Sequence, residues 1–76
     1  MTIRVLFFGM IAAKLGRHEW LLPISHEITL AEVIEQVGCS ECKPLLLAVN
    51  QQQVKDRTTI IRANDEVAIM PPFAGG

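Results

Sequence analysis

Charge is scarce in this chain. Only 20% of its 76 residues are charged, and seven Lys and Arg against eight Asp and Glu leave a net charge of −1. Such a balance provides no electrostatic footprint for nucleic acid. Long apolar runs are missing too: the longest, Val5 to Ala13, is far shorter than the roughly 20 residues a membrane span requires. No cationic segment precedes an apolar stretch and a small-residue cleavage site, so no secretion signal is visible and a cytoplasmic location is expected. Two cysteines are too few for a disulfide framework, and in that compartment both are expected to be reduced. Internal repeats, low-complexity segments and glycine-rich phosphate loops are absent as well.

What remains is apolar, with half of the residues falling in that class. A chain this short makes one domain and buries roughly 60% of its unfolded surface, so an apolar excess of this size is expected to reach the outside and be covered by another protein.

Period-two patterning predicts a strand over Ile3–Phe8, with Ile3, Val5 and Phe7 on one face and Arg4, Leu6 and Phe8 on the other. Met10–Leu15 reads as a helical turn closed by Gly16 in the left-handed conformation. Glu19–Ile24 reads as a second strand, placed at a sheet edge or ended early because Pro23 has no N–H to donate. Thr29-Leu30-Ala31-Glu32 is a capping box, Ile28 and Val33 hold the hydrophobic-staple positions, and Leu30, Val33, Ile34 and Val37 recur at helical spacing before Gly38. Glu32, Glu35 and Gln36 then face water. Leu45–Val49 is a continuous apolar run expected to be covered, or nearly so, on both faces, and its inward phase is left open by periodicity. Val54 and Ile60-Ile61 suggest short extended pieces, Asn64-Asp65 a turn, and Glu66–Met70 a last strand, with Val67 and Ile69 facing inward. Pro71-Pro72 ends it. The pattern predicts an α+β roll with one main helix across a mixed sheet.

Candidates for chemistry are few. Cys39-Ser40-Glu41-Cys42 is a C-x-x-C, but zinc would need four ligands and the histidines, His18 and His26, are not at metal-ligand spacing, so no metal site is expected. Both cysteines follow the C-terminal end of a helix, where the dipole disfavours a thiolate. The two histidines read as surface residues, and Glu32 and Glu35 as a solvated helix face. The ending is different in kind. Two terminal glycines arise by chance in roughly one chain in 200, and here they follow a stiff Pro-Pro segment. Pro71 to Gly76 could reach about 19 Å, ending in residues with no Cβ that can thread a narrow channel. The reactive group would be the Gly76 carboxylate, ionised at neutral pH and in need of activation, for example as a mixed anhydride with AMP.

Val5-Leu6-Phe7-Phe8, Leu15-Gly16, Thr29, Ala48-Val49-Asn50-Gln51, Asp65-Glu66-Val67-Ala68 and, above all, Pro71-Pro72 before Gly75-Gly76 resemble the small subunits of molybdopterin synthase, ubiquitin-like β-grasp sulfur carriers. The resemblance covers the whole chain and implies a β-grasp domain over 1–72 with a flexible tail over 73–76. It implies that an activating enzyme using ATP adenylates Gly76, that a sulfur donor protein converts it to a thiocarboxylate, and that no cofactor is bound permanently. Gly75, Ala74 and Phe73 would pass into the large catalytic subunit, in a heterotetramer, to deliver sulfur to cyclic pyranopterin monophosphate. Leu6, Phe8, Met70, Pro71 and Pro72 would form the docking surface. Catalytic side chains would belong to the partners, making this chain a non-catalytic carrier subunit. Departures from the family are a short 38–44 connection and Asn64-Asp65 where a glycine is common. A sulfur carrier for thiazole synthesis shares the glycine ending but is similar to a more compact β-grasp without the Gly9–Arg17 insert. A β-grasp binding module with an unmodified end and a protein-conjugating modifier are further alternatives.

Overall fold

The structure, a computed structural model, describes residues 1–39 and 46–71. The described elements are β1 (Thr2–Phe7), α1 (Gly9–Leu15), β2 (Glu19–Pro23), β3 (Ile28–Thr29), α2 (Leu30–Gln36), β4 (Leu46–Val49), β5 (Gln52–Gln53), β6 (Ile60–Ile61) and β7 (Glu66–Met70). Five strands form a mixed sheet in the order β2-β1-β7-β4-β5, and β3 pairs with β6 in a separate two-stranded ladder. β1 and β7 run parallel at the centre, and the other pairs are antiparallel. This is the ubiquitin-like β-grasp.

Alternation along the central strands builds the core. Ile3, Val5 and Phe7 of β1, Val67 and Ile69 of β7 and Leu47 of β4 are buried together with Leu30, Val33, Ile34 and Val37. α2 exists because its start is satisfied locally. The Thr29 hydroxyl accepts the Glu32 N–H at 3.2 Å, while the Glu32 carboxylate accepts the Thr29 N–H at 3.0 Å. Ile28 and Val33 are both buried, as the staple requires, and Glu32, Glu35 and Gln36 are exposed. α1 contributes Ile11 and Ala12 to the core and closes at Gly16, whose φ of 73° is the left-handed cap.

β2 is an edge strand. Ile24 donates to the Met1 carbonyl and Phe7 to the His18 carbonyl, so period two turns the Pro23 nitrogen away from β1, where no donor is needed. Boundaries moved by one residue: β1 stops at Phe7, leaving Phe8 as the extended N-cap of α1, and β2 stops at Pro23. Two short strands escaped the sequence pattern. Ile28–Thr29, read as the entry to α2, is also β3, held by Ile60–Ile61 across a long sequence separation. Gln52–Gln53 is β5, and Val54 lies just beyond it with its N–H donated to Leu47.

Asn50 and Gln51 form the two-residue β4–β5 turn, with φ of 51° and 70°. This is the doubly left-handed hairpin turn, in which asparagine is favoured and glutamine is not. Asn50 secures it: its N–H donates to the Glu66 carbonyl, its carboxamide accepts the Glu66 N–H and its Nδ2 donates to Asp65.

Candidate functional site

The core face of the sheet is covered, so function must be sought on the opposite face and where β7 ends. Register places Arg4 beside Leu21 and Glu66, then Leu6 beside Glu19 and Ala68, then Leu46 beside Met70. The outer face is therefore divided along the strand axis. At one end the Arg4 guanidinium is paired with the Glu19 carboxylate and lies 3.9 Å from that of Glu66. Glu19 holds Arg4 above its ordinary pKa, first by the side-chain hydrogen bond and then by its charge. The other end is apolar.

At the apolar end Phe8, Gly9, Leu46, Met70 and Pro71 line an open groove of about 330 Å³. Phe8 is 45% exposed, an unusual position for a phenylalanine that adjoins fully buried Phe7. Met70 and Pro71 are half-buried, and Leu6 is half-buried in the neighbouring row. Four of the expected docking residues, Leu6, Phe8, Met70 and Pro71, thus lie at one end of one face, with Phe8, Met70 and Pro71 sharing the groove. Pro72, Phe73, Ala74, Gly75 and Gly76 lie outside the described residues. Pro71 directly follows β7, so the groove lies at the C-terminal end of that strand.

Sequence reasoning missed Leu46 and Gly9. Leu46 belongs to an apolar run whose phase is set by its pairing with Met70, a long-range contact without a local signal. Gly9 adopts φ +57° at the first residue of α1, where its Cα faces Pro71.

The other chemical candidates are dispersed. Cys39 is fully buried beyond α2, with its N–H donated to the Ile34 carbonyl. Cys42 lies outside the described residues. His18 and His26 are exposed, the latter beside the Ser25 hydroxyl at 3.0 Å. Glu32 is held below its ordinary pKa by the Thr29 backbone and hydroxyl, which commits it to the cap. Among the described residues, no three His, Cys, Asp or Glu side chains gather as a metal site would require.

The model of the ThiS family matches residues 5–76, nearly the whole chain, including the terminal glycines. The chain belongs to the ThiS family. A molybdopterin synthase sulfur carrier subunit from Dictyostelium discoideum is 30% identical over 82 residues, covering 96% of this chain and 94% of that protein. Among solved structures, small archaeal modifier protein 1 of Haloferax volcanii has a TM-score of 0.81 at 17% identity, with full coverage of both chains. A complex of subunits 1 and 2 of the Helicobacter pylori molybdopterin-converting factor matches with a TM-score of 0.66 at 18% identity, again with both chains fully covered. The structural likenesses establish the fold. The family match and the Dictyostelium relative make this ThiS-family chain a sulfur carrier related to the molybdopterin synthase small subunits.

Proposed function

We propose that this ThiS-family chain carries sulfur on its C-terminal Gly76 for molybdopterin formation. The observation that carries the reading is that the family match runs through Gly75 and Gly76, while the groove at Phe8, Met70 and Pro71 lies where that tail begins. Residues 1–72 act as the docking body and residues 73–76 as the arm. The similarity to the Dictyostelium sulfur carrier subunit favours molybdopterin over thiazole synthesis.

The Gly76 carboxylate, with an ordinary pKa near 3.5, is ionised and a poor acylating group at neutral pH. Attack of its oxygen on the α-phosphorus of ATP, in an activating enzyme, expels pyrophosphate and leaves an acyl adenylate. A persulfide on a donor protein then displaces AMP, and a second thiol supplies the electrons that release the thiocarboxylate. Gly75 and Gly76 suit both steps, because a chain without Cβ atoms fits a narrow channel. Ala74 and Phe73 follow them toward the active site.

The apolar end of the outer face takes the partner. Phe8, Leu6, Met70 and Pro71, continued by Pro72, would seat a large catalytic subunit, in a heterotetramer; the complex of subunits 1 and 2 of the Helicobacter pylori molybdopterin-converting factor supports pairing with a second subunit. Catalytic side chains come from that subunit, and the assembly works in the cytoplasm. The test is a single turnover of thiocarboxylated chain with large subunit and cyclic pyranopterin monophosphate. The reading expects two chains to return to the carboxylate for each dithiolene formed. Formation of the complex with no loss of sulfur from Gly76 contradicts it.

A further inference from the structure

β5 leaves the sheet early. It pairs with β4 only at Ala48 and Val49, and beyond Gln53 the chain encloses a second open pocket, of about 250 Å³, against Leu46 and Leu47. Val54 adds to its apolar wall and packs against the core. Gln53, Lys55 and Arg57 supply the polar lining. Backbone bonds pin this segment at both ends. Val54 donates to the Leu47 carbonyl at 2.8 Å, and Ala31, in the first turn of α2, donates to the Arg57 carbonyl at 2.9 Å. The two cations therefore stand on an ordered frame, which lowers the cost of ordering them on binding.

Other cations of the domain are already engaged. Arg4 pairs with Glu19, Arg62 with Glu27, and Arg17 lies over the Trp20 ring. Among the described residues, no carboxylate forms an ion pair with Lys55 or Arg57. Asp56, between them in sequence, is turned to Thr58, whose N–H and hydroxyl donate to its Oδ1 at 2.9 and 2.6 Å. Arg57 is also half-buried. A guanidinium partly withdrawn from water beside an apolar wall suits a carboxylate brought by another molecule. Leu46 lines both this pocket and the groove at Phe8, Met70 and Pro71, so a protein seated on the groove is one residue away.

We infer that this pocket is a second contact point for the large subunit. It takes an acidic side chain with an apolar neighbour, the carboxylate meeting Arg57 and Lys55 and the apolar group resting on Leu46 and Val54. The inference rests on the carrier reading for its partner. It adds a charge requirement to an otherwise apolar docking surface, so that a subunit presenting a basic residue here is repelled.

Association and dissociation rates with the large subunit test it, at low and at high salt, beside thermal unfolding of each variant. Arg57→Glu is compared with Arg62→Glu, the same change of charge on β6's side of the domain, away from the pocket. At low salt Arg57→Glu should slow association by about 10-fold or more and Lys55→Glu by severalfold, with both losses shrinking at high salt. Arg62→Glu should do much less. Equal effects of Arg57→Glu and Arg62→Glu, or none, overturn the inference, as does a loss confined to adenylation by the activating enzyme. If Arg57→Glu fails to fold, Arg57→Gln replaces it, with Arg62→Gln as its control.

A second measurement does not depend on the carrier reading. The free protein is titrated with the capped peptide acetyl-Leu-Glu-Leu-amide and, separately, with its Leu-Gln-Leu counterpart. The acidic peptide should shift the amide resonances of Leu46, Leu47, Val54, Lys55 and Arg57, and the neutral peptide or the Arg57→Glu variant should reduce those shifts severalfold. Absent shifts, or equal shifts with both peptides, overturn the inference. A wild-type chain that never binds the large subunit overturns the carrier reading and leaves this titration to decide what the pocket recognises.

Discussion

The backbone N–H of Phe8 donates to the carbonyl of Ile69 at 3.2 Å, locking the residue that caps α1 to the strand that ends in the tail. This bond involves no side chain. The phenyl ring of Phe8 is therefore released from structural duty and stands in the groove beside Met70 and Pro71.

Two adjacent phenylalanines should consequently give opposite phenotypes. Phe8→Ala keeps the backbone bond and removes a partly exposed ring, so it should weaken affinity for the large subunit by about 2 kcal/mol or more while hardly moving the melting temperature. Phe7, 1% exposed, is surrounded by core. Phe7→Ala should cost about 3–5 kcal/mol, a large share of the ~5–15 kcal/mol available to a small domain. Calorimetric titration and thermal denaturation of both variants check the pair; destabilisation by Phe8→Ala with unchanged binding would reverse the assignment of faces.

Strand parity made this division legible in the sequence, because Leu6, Phe8 and Met70 alternate with Val5, Phe7 and Ile69 on strands that had turn or capping residues at their ends. α2 was legible for the same local reason: Thr29 and Glu32 satisfy each other without help from elsewhere. Long-range pairing was not legible. Ile28–Thr29 becomes a strand because Ile60–Ile61 meets it, and Leu46 joins the groove because Met70 fixes its register. The Asn50-Gln51 turn was hidden by its glutamine, which sits at positive φ in a turn that Asn50 secures through Asp65 and Glu66.

Acid should destabilise the domain through two carboxylates. Glu32 is held below its ordinary value by the hydrogen bonds from Thr29, and Asp56 by those from the Thr58 hydroxyl and N–H. For a carboxylate whose folded pKa is depressed, the stabilisation is complete above the unfolded value and lost as pH falls through the folded one. Unfolding midpoints should therefore be steady above about pH 5 and fall below the ordinary values of 4.5 for Glu32 and 3.8 for Asp56. Urea titrations across this range should show the fall, with Glu32→Gln flattening part of it. Thr29→Ala should cost about 1 kcal/mol at neutral pH.

Cys39 should take no part in sulfur transfer. It is fully buried next to Ile34, beyond the C-terminal end of α2, where a thiolate is disfavoured. Cys39→Ala combined with Cys42→Ser should retain thiocarboxylate formation in a reconstituted reaction. A double variant that folds and is adenylated but never gains sulfur would establish a cysteine relay instead.

Side chains at the tail should be tolerated by the fold and rejected by the partners. Gly75→Val should leave the melting temperature unchanged and lose adenylation or sulfur transfer. Normal molybdopterin formation by this variant would remove the argument for a narrow channel. Deleting Gly76 should abolish transfer with the fold intact.

The central claim is that sulfur resides on the Gly76 carbonyl. Intact mass spectrometry tests it directly, after incubation of the chain with the activating enzyme, ATP and a persulfide donor. The account predicts a single product heavier than the starting chain by the difference between one sulfur and one oxygen atom, with fragmentation locating the change at Gly76. An unchanged mass, or sulfur located on Cys39 or Cys42, would contradict it.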